Sequence, residues 1–279
     1  MKTENLKTTS SQVAPKKSTL SEAARMYDKY KYMSFPQRMI QYSAVLVLRG
    51  LEKLYPLFSR YGNPTFYSPS MFDWTPEFEK NWAVIRAEME EVLKYKASLP
   101  TFQDLSQDDA YLTNDANWKT FWIYNFGGLP VENNIKRCPQ TAVLLEEVPE
   151  LMSAMFSILE PGKHIEPHRG PFKGLIRLLF ALKIPEPRDH VKIRVGDDIR
   201  TWEEGEFLVF DDTFEHEVWN DTDGIRVVLF MDVPRPMRFP FNIINALLIK
   251  SIALSPKIKN MMAIQGKWDQ TLKEAGFEP

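Results

Sequence analysis

Two of the four histidines in the sequence, His168 and His216, have the surroundings expected of metal ligands. His168 opens the segment H-R-G-P just before an apolar run, and His216 lies in F-D-D-T-F-E-H-E-V-W just before another. Strand ends that are far apart in sequence converge at one mouth of a jelly roll, so two imidazoles 48 residues apart could bind one metal ion. Two surface or hydrogen-bonded histidines would produce the same pattern, and spacing alone does not decide between these interpretations.

An arginine on the following apolar run adds a second chemical requirement. Arg226 lies ten residues after His216, and strand alternation places it on the same face as Val228 and Phe230. A guanidinium on an apolar, inward-facing strand surface needs an anion, because an unpaired buried charge is strongly destabilising. A small-molecule carboxylate would accept its paired N–H donors. The alternative is a structural ion pair with one of the many nearby acidic residues.

The composition excludes several other kinds of chemistry. The 279 residues are 44% hydrophobic and 26% charged, which excludes wholesale disorder and fibrous repeats. The single cysteine, Cys138, cannot form an intramolecular disulfide and suits a reducing compartment. None of the twelve glycines forms a dinucleotide-binding or phosphate-binding loop motif. The first 35 residues lack the apolar core of a secretory signal, so we expect no export by that route.

The elements that would position these side chains are mostly short strands. Apolar residues at three- and four-residue spacings predict one amphipathic helix over residues 74–95. After it, short β-branched and aromatic runs are separated by turn residues, which is typical of a mainly β, jelly-roll fold. The predicted strands cover residues 120–126, 154–159, 174–184, 191–195, 206–210 and 225–233.

The net charge of −2 conceals two basic ends. Residues 1–66 contain eleven basic and four acidic residues, and residues 233–268 contain six basic and no acidic residues. Apolar stretches at residues 35–60 and 235–267 predict helices that lie in an anionic membrane interface. No uninterrupted apolar run approaches the roughly 20 residues that span a bilayer. The alternative is that both segments pack on the β core as ordinary covering helices.

Three segments and one arginine resemble the aspartyl/asparaginyl β-hydroxylase family of Fe(II)- and 2-oxoglutarate-dependent dioxygenases. They are H-R-G-P at residues 168–171, R-T-W-E-E-G at 200–205, F-D-D-T-F-E-H-E-V-W-N-D at 210–221, and Arg226. The resemblance covers roughly residues 66–236. It implies a double-stranded β-helix, which is a cupin-like jelly roll, here with flanking N- and C-terminal helices.

The resemblance also implies roles for individual residues. His168 and His216 would be the Fe(II) ligands, with 2-oxoglutarate and O2 as cosubstrates. Arg226 would pair with the C5 carboxylate of 2-oxoglutarate. Ser157 and Arg177 stand where the family has further residues that bind the cosubstrate.

Three positions qualify these implied roles. Most 2-oxoglutarate oxygenases have a carboxylate two residues after the first histidine, whereas Gly170 stands there, as is usual in this family, so the common 2-His-1-carboxylate triad is absent. Leu179 occupies a position where the family commonly has a histidine, so one cosubstrate contact is missing. A catalytically weak, cupin-like binding module with vestigial histidines is therefore an alternative. Asp212 either orients an imidazole or caps the corner before it.

Further segments resemble one branch of this family, and that branch implies a class of substrate. F-Y-S-P-S-M-F-D-W, A-M-F-S-I-L-E-P-G-K-H and R-P-M-R-F-P look most like the bacterial lipid A acyl 2-hydroxylase branch. This resemblance implies hydroxylation at the 2-position of an acyl chain of a membrane lipid, of the lipid A or ornithine-lipid type. The alternative substrate is an Asp or Asn side chain of a protein or peptide.

The predicted organisation has four parts and a membrane-peripheral location. We expect a mobile leader, a basic amphipathic helical segment, the dioxygenase domain, and a basic apolar C-terminal helical segment. The protein would lie in the cytoplasm, peripheral to the inner face of the cytoplasmic membrane, with a lipid acyl chain as its partner. We expect no nucleic-acid partner and infer no obligate protein partner. The four parts are residues 1–20, 21–65, 66–236 and 237–279.

Overall fold

A computed structural model, which describes residues 34–105, 113 and 115–279, contains mainly β structure with helices at both ends. Most strands coincide with apolar runs of β-branched and aromatic residues, as those runs predict. The strands among these residues are β1 (Phe66–Tyr67), β2 (Trp118–Asn125), β3 (Leu129–Pro130), β4 (Ser153–Leu159), β5 (Lys163–His168), β6 (Leu175–Lys183), β7 (Val191–Val195), β8 (Asp198–Thr201), β9 (Phe207–Phe210), β10 (His216–Asn220) and β11 (Arg226–Pro234).

These strands form two antiparallel sheets with the connectivity of a double-stranded β-helix. The larger sheet has the order β1-β9-β6-β11-β4-β2-β3, and the smaller has the order β5-β10-β7-β8. From β4 to β11 the chain passes repeatedly from one sheet to the other, so that β4, β6, β9 and β11 lie in the larger sheet. The predicted mainly β, jelly-roll fold is confirmed.

The larger sheet is buried on both faces. On β6, Leu179 and Ala181 belong to an apolar interior that also contains residues of the smaller sheet. Leu178 and Phe180 belong to a second apolar layer, which helices cover from outside. Because both faces are buried, β6 and β11 are almost continuously apolar instead of alternating with polar residues.

Nine helices of at least four residues occur in the described part of the chain. The predicted helix over residues 74–95 is interrupted at Asn81, whose side-chain amide donates to the Glu77 carbonyl oxygen at 2.8 Å. The helices are α1 (Phe35–Glu52), α2 (Tyr55–Phe58), α3 (Thr75–Lys80), α4 (Trp82–Lys94), α5 (Phe102–Leu105), α6 (Glu132–Arg137), α7 (Pro139–Glu146), α8 (Phe241–Ala253) and α9 (Pro256–Glu274).

The N-terminal and C-terminal helices pack against each other and against the loop that leads into β6. The Tyr55 ring lies edge-on to Phe241 at 5.5 Å, and Phe58 stacks on Phe241 at 4.3 Å. The Tyr55 hydroxyl donates to Asn245 Oδ1 at 2.9 Å, and Asn245 Nδ2 donates to the Gly174 carbonyl oxygen at 2.9 Å. Both ends of the chain are therefore attached to the same part of the β core.

The length and apolar character of the helices decide whether one of them is a candidate to cross a membrane. None of the described helices has both the length and the apolar character to cross a membrane alone; only Phe241–Ala253 and Ile258–Glu274, bent by 49°, reach that threshold as a pair. The predicted leader, residues 1–20, lies outside the described residues, and the four-part division of the chain stays a prediction.

Candidate active site

The two histidines predicted as metal ligands lie side by side in the smaller sheet. His168 is the last residue of β5 and His216 is the first residue of β10, and they are paired across the ladder. Their ring centroids are 4.1 Å apart. Both residues are therefore held by strands, which the sequence analysis did not predict over 163–168 or 216–220.

Backbone carbonyl groups determine the protonation of both rings. Nδ1 of His168 lies 2.8 Å from the Glu166 carbonyl oxygen, and Nδ1 of His216 lies 3.0 Å from the Phe214 carbonyl oxygen. Since a carbonyl oxygen only accepts, each Nδ1 donates and Nε2 is the unprotonated nitrogen of the neutral ring. Burial lowers the pKa of His216 well below its usual value, and the neighbouring His168 ring and Arg177 lower it further. Two adjacent imidazoles whose Nδ1 atoms are both held by backbone carbonyl groups present Nε2 as the coordinating nitrogen, which suits a divalent transition metal.

A carboxylate from another part of the chain occupies the space next to Gly170. In the described residues no group of three His, Cys, Asp or Glu side chains could surround a metal ion. A Cβ atom on Gly170 would overlap the carboxylate of Asp212, and the Gly170 N–H donates to the Asp212 carbonyl oxygen at 2.7 Å. Burial, opposed by the charge of Arg177, raises the pKa of Asp212 to about 6. The glycine is required by this close approach.

Arg177 forms ion pairs with two aspartates of the protein. Its Nε donates to Asp232 Oδ1 at 3.0 Å, and its Nη2 lies 3.0 Å from Asp212 Oδ2. Asp232 is directly opposite Arg177 in the β6–β11 ladder, and the guanidinium also covers the Phe230 ring at 4.3 Å. The anions that Arg177 contacts are thus aspartates of the protein itself, and its predicted role in cosubstrate binding stays a prediction.

Arg226 is different, because no described residue gives it a carboxylate partner. It is 2% exposed, its Nε has no hydrogen-bond acceptor, and its guanidinium carbon lies 4.4 Å from the centre of the Trp202 ring. Burial lowers the pKa of Arg226 to about 9, so the group remains protonated at neutral pH. The structural ion pair considered as the alternative is absent from the described residues. A buried cation in this state needs an anion that the described residues do not supply.

Further polar atoms without partners lie in the same interior. Thr120 Oγ1 and Trp202 Nε1 are buried and have no hydrogen-bond partner among the described residues. Thr120 is directly opposite Ser157 in the β2–β4 ladder, and Ser157 Oγ accepts from Trp118 Nε1 at 3.1 Å. Neither Trp202 nor Thr120 was given a role of its own from the sequence. The feature of the sequence that could have identified Trp202 is the R-T-W-E-E-G segment that contains it.

A buried ion-pair cluster fixes the corner that leads into β10. Asp211 Oδ2 accepts from Arg235 Nη2 at 2.5 Å and from Lys173 Nζ at 2.7 Å. Asp211 Oδ1 accepts from the Thr213 hydroxyl at 2.6 Å and from its backbone N–H at 3.0 Å. The corner therefore has one conformation, which sets where His216 begins its strand.

The chain is similar to known hydroxylases over most of its length. The family model described as aspartyl/asparaginyl beta-hydroxylase matches residues 79–236. An ornithine lipid ester-linked acyl 2-hydroxylase of Rhizobium tropici is 42% identical over 238 residues, which are 85% of this chain and 84% of that protein. The human aspartyl/asparaginyl beta-hydroxylase is 35% identical over 182 residues, which are 60% of this chain and 23% of that protein. Among solved structures, a Pseudomonas putida prolyl-4-hydroxylase has a TM-score of 0.36 and 16% identity, covering 55% of this chain and 86% of that chain.

The buried cluster around Asp211 predicts a large loss of stability when its negative charge is removed. Asp211→Asn leaves Arg235 and Lys173 as uncompensated buried cations. We expect the free energy of unfolding at pH 7 to fall by about 3–5 kcal/mol, measured by urea denaturation. The exposed Asp223→Asn is the control, and we expect it to change stability by less than about 0.5 kcal/mol.

The effect of Asp211→Asn should depend on pH. Burial by itself raises the pKa of Asp211, but Arg235 and Lys173 outweigh it, and the net shift is downward. The stability gained from this carboxylate is therefore present above its unfolded-state pKa and is lost as pH falls through the folded-state pKa. The difference between wild type and variant should shrink in acid, and a difference that is constant with pH would contradict this account.

Proposed function

The chain belongs to the aspartyl/asparaginyl β-hydroxylase family, and we propose that it is an Fe(II)- and 2-oxoglutarate-dependent hydroxylase of a membrane-lipid acyl chain. The observation that carries this proposal is the buried guanidinium of Arg226, which has no carboxylate partner among the described residues. A dicarboxylic cosubstrate would supply the missing anion. The unpartnered N–H of Trp202 beside Arg226 adds one more donor for that carboxylate.

The two imidazoles would hold the metal. His168 and His216 each present Nε2 as the basic nitrogen, and the carbonyl groups that accept from Nδ1 fix the ring orientation. When bound, Fe(II) would supply the activation of O2 that inserting oxygen into a C–H bond requires. Asp212 would contribute negative charge near the cation, in the space that Gly170 leaves open. Arg177, which pairs with Asp212, would hold that carboxylate in place.

An apolar row across the interior face supports an acyl chain as substrate. Met155 on β4 is opposite both Trp122 on β2 and Phe230 on β11, and Phe230 is opposite Leu179 on β6. All four residues are apolar in this row, which suits methylene groups better than an Asp or Asn side chain. The R. tropici relative, named an ornithine lipid ester-linked acyl 2-hydroxylase, supports hydroxylation at the carbon next to an ester carbonyl.

Exposed apolar residues on the terminal helices support a location at the membrane. Leu46 and Val47 on α1 are 70% and 60% exposed, and Ile243 and Leu247 on α8 are 52% and 63% exposed. The opposite side of α8 packs on the β core, so these helices cover the core and also present an apolar surface. The basic residues of 233–268 would bind an anionic leaflet. The proposed location is the inner face of the cytoplasmic membrane.

The proposed reaction predicts a lipid product and a metal requirement. Wild-type protein with Fe(II), 2-oxoglutarate, O2 and ornithine-lipid vesicles should yield lipid with one added oxygen atom, measured by mass spectrometry. His168→Ala and His216→Ala should lose both metal binding and product, since each removes one of two protein ligands. The control is His190→Ala, because His190 is exposed and its ring hydrogen-bonds only the Asp221 carbonyl oxygen among the described residues.

Unchanged metal binding in both active-site variants would reject the assignment of the ligands. Product on an Asp- or Asn-containing peptide, with none on lipid, would instead identify the alternative substrate. Lipid A vesicles tested in parallel distinguish the two lipid headgroups.

The proposed role of Arg226 predicts a specific loss of cosubstrate binding. Arg226→Ala removes a buried partner of a carboxylate and should weaken 2-oxoglutarate binding by about 2–5 kcal/mol in calorimetry. Arg226→Lys should lose less, because it keeps the charge but not the paired donors. The exposed Arg188→Ala is the control. The same 2-oxoglutarate affinity in Arg226→Ala and wild type would reject the role.

The proposed membrane location predicts binding to anionic vesicles. Wild-type protein should float with anionic liposomes and detach at high salt, because each lysine near the surface contributes about 1 kcal/mol. Binding should weaken in Lys250→Glu with Lys259→Glu, and separately in Ile243→Ser with Leu247→Ser. The control is Val143→Ser, which changes an exposed apolar residue on α7. Flotation that is insensitive to salt and to both pairs of changes would reject docking through these helices.

A further inference from the structure

An arginine next to one metal-site histidine cross-links the two segments that carry the imidazoles. Arg169 follows His168 directly in the chain, and its Nε donates to the Thr213 carbonyl oxygen at 2.5 Å. Thr213 lies three residues before His216. The distance between the two imidazoles therefore depends on a side-chain contact as well as on the ladder between their strands.

The same guanidinium is held from the other side by helix α1. Arg169 Nη2 lies 2.5 Å from Oε1 of Glu52, which is the last residue of α1. The second oxygen of Glu52 accepts from Arg49 Nη1 at 2.7 Å, one turn earlier on the same helix. Glu52 is therefore itself oriented, and the guanidinium bridges α1 to the corner that precedes His216.

The solvent exposure of this ion pair indicates that it serves to position the guanidinium and adds little to stability. The side chains of Arg169 and Glu52 are 32% and 17% exposed, and ion pairs with this much solvent contact add little to stability. Without Glu52, the guanidinium could turn toward water and leave the Thr213 carbonyl oxygen. With Glu52 in place, the planar fork reaches both acceptors at once, which a point charge cannot do as well.

We propose that Arg169 and Glu52 are positioning residues of the two-histidine metal site, so that helix α1 is part of the machinery that sets its metal affinity. This inference rests on the proposed function, because it assumes that His168 and His216 hold a metal ion. It extends the site beyond residues 79–236, which the family model matches, to the C-terminal end of α1. A site with only two protein ligands has no third side chain to compensate for a change in their spacing.

Anaerobic titration with Co(II), without cosubstrate or lipid, tests the proposal on the full-length chain. Glu52→Gln and Arg169→Gln should each weaken Co(II) binding roughly 10-fold, the lower end of what loss of an orienting contact costs a metal site. The visible absorption of bound Co(II) should shift, because it reports the arrangement of the ligands. The double variant should bind no more weakly than Arg169→Gln, since the two residues act through one contact.

The chain offers a closely matched control for the loss of the ion pair. Lys96 and Glu160 form a pair at 2.8 Å whose side chains are 30% and 16% exposed, almost the same as in the Arg169–Glu52 pair. Glu160→Gln should keep wild-type Co(II) affinity and absorption, with a change in melting temperature similar to that of Glu52→Gln. Arg169→Lys, which keeps the positive charge, should give an affinity between those of wild type and Arg169→Gln.

The outcomes separate this inference from the proposed function. If wild type binds no Co(II), or if His168→Ala binds it equally well, the metal site itself is wrong. If wild type binds Co(II) and loses it in His168→Ala, but Glu52→Gln and Arg169→Gln match Glu160→Gln in affinity and spectrum, the positioning role is overturned. Should Glu52→Gln fold poorly, Arg169→Lys decides the question, and wild-type affinity and absorption in that variant would equally overturn it.

Discussion

Charge buried between two apolar sheets must be balanced, and this requirement organises the interior of the β-helix. Arg177 is balanced by Asp232, which faces it across the ladder, and Asp211 is balanced by Arg235. Both pairs stabilise backbone that lies close to the imidazoles. Arg226 is also buried, but no described residue gives it such a carboxylate, and its Nε has no hydrogen-bond partner among them. This difference is the reason we propose Arg226, and not the paired arginines, as the group that binds an external carboxylate.

The arrangement of the strands explains how distant residues meet. β5 and β10 are neighbours in the smaller sheet although about fifty residues separate their histidines, and the register places His168 opposite His216. The larger sheet contributes the polar residues of the interior from β2, β4 and β11. The segment before β10 then has two functions, because Asp211 anchors it in the buried cluster while Asp212 fills the space beside Gly170. Adjacent aspartates thus serve stability and the site separately.

Strands that are buried on both faces can be predicted from their apolar runs, whereas strands with polar side chains, such as β5 and β10, were missed. β6 and β11 are continuous apolar runs, whereas β5 is K-H-I-E-P-H and β10 is H-E-V-W-N. In β10 the buried Glu217 pairs with Arg194 on β7, so its polarity is satisfied only once the sheet exists. The contact of Asp212 with Gly170 was equally hidden, because a glycine in a sequence does not reveal which side chain needs its space. The unpaired state of Arg226 required the fold, since many acids lie near it in sequence.

The terminal helices relate the proposed membrane surface to the site by direct packing. Phe172, four residues after His168, lies edge-on to Tyr55 at 6.0 Å, and Asn245 on α8 binds the backbone of Gly174. Helix α8, which would contact a bilayer, and helix α2, which follows α1, are therefore both attached to the loop between β5 and β6, next to the imidazoles. An acyl chain that stays against apolar side chains while it leaves a membrane avoids the cost of exposing its methylene groups to water, so an apolar surface close to the site favours a lipid substrate. The two histidines therefore lie close to the helices whose outer surface is apolar, as a hydroxylase of a membrane lipid would require.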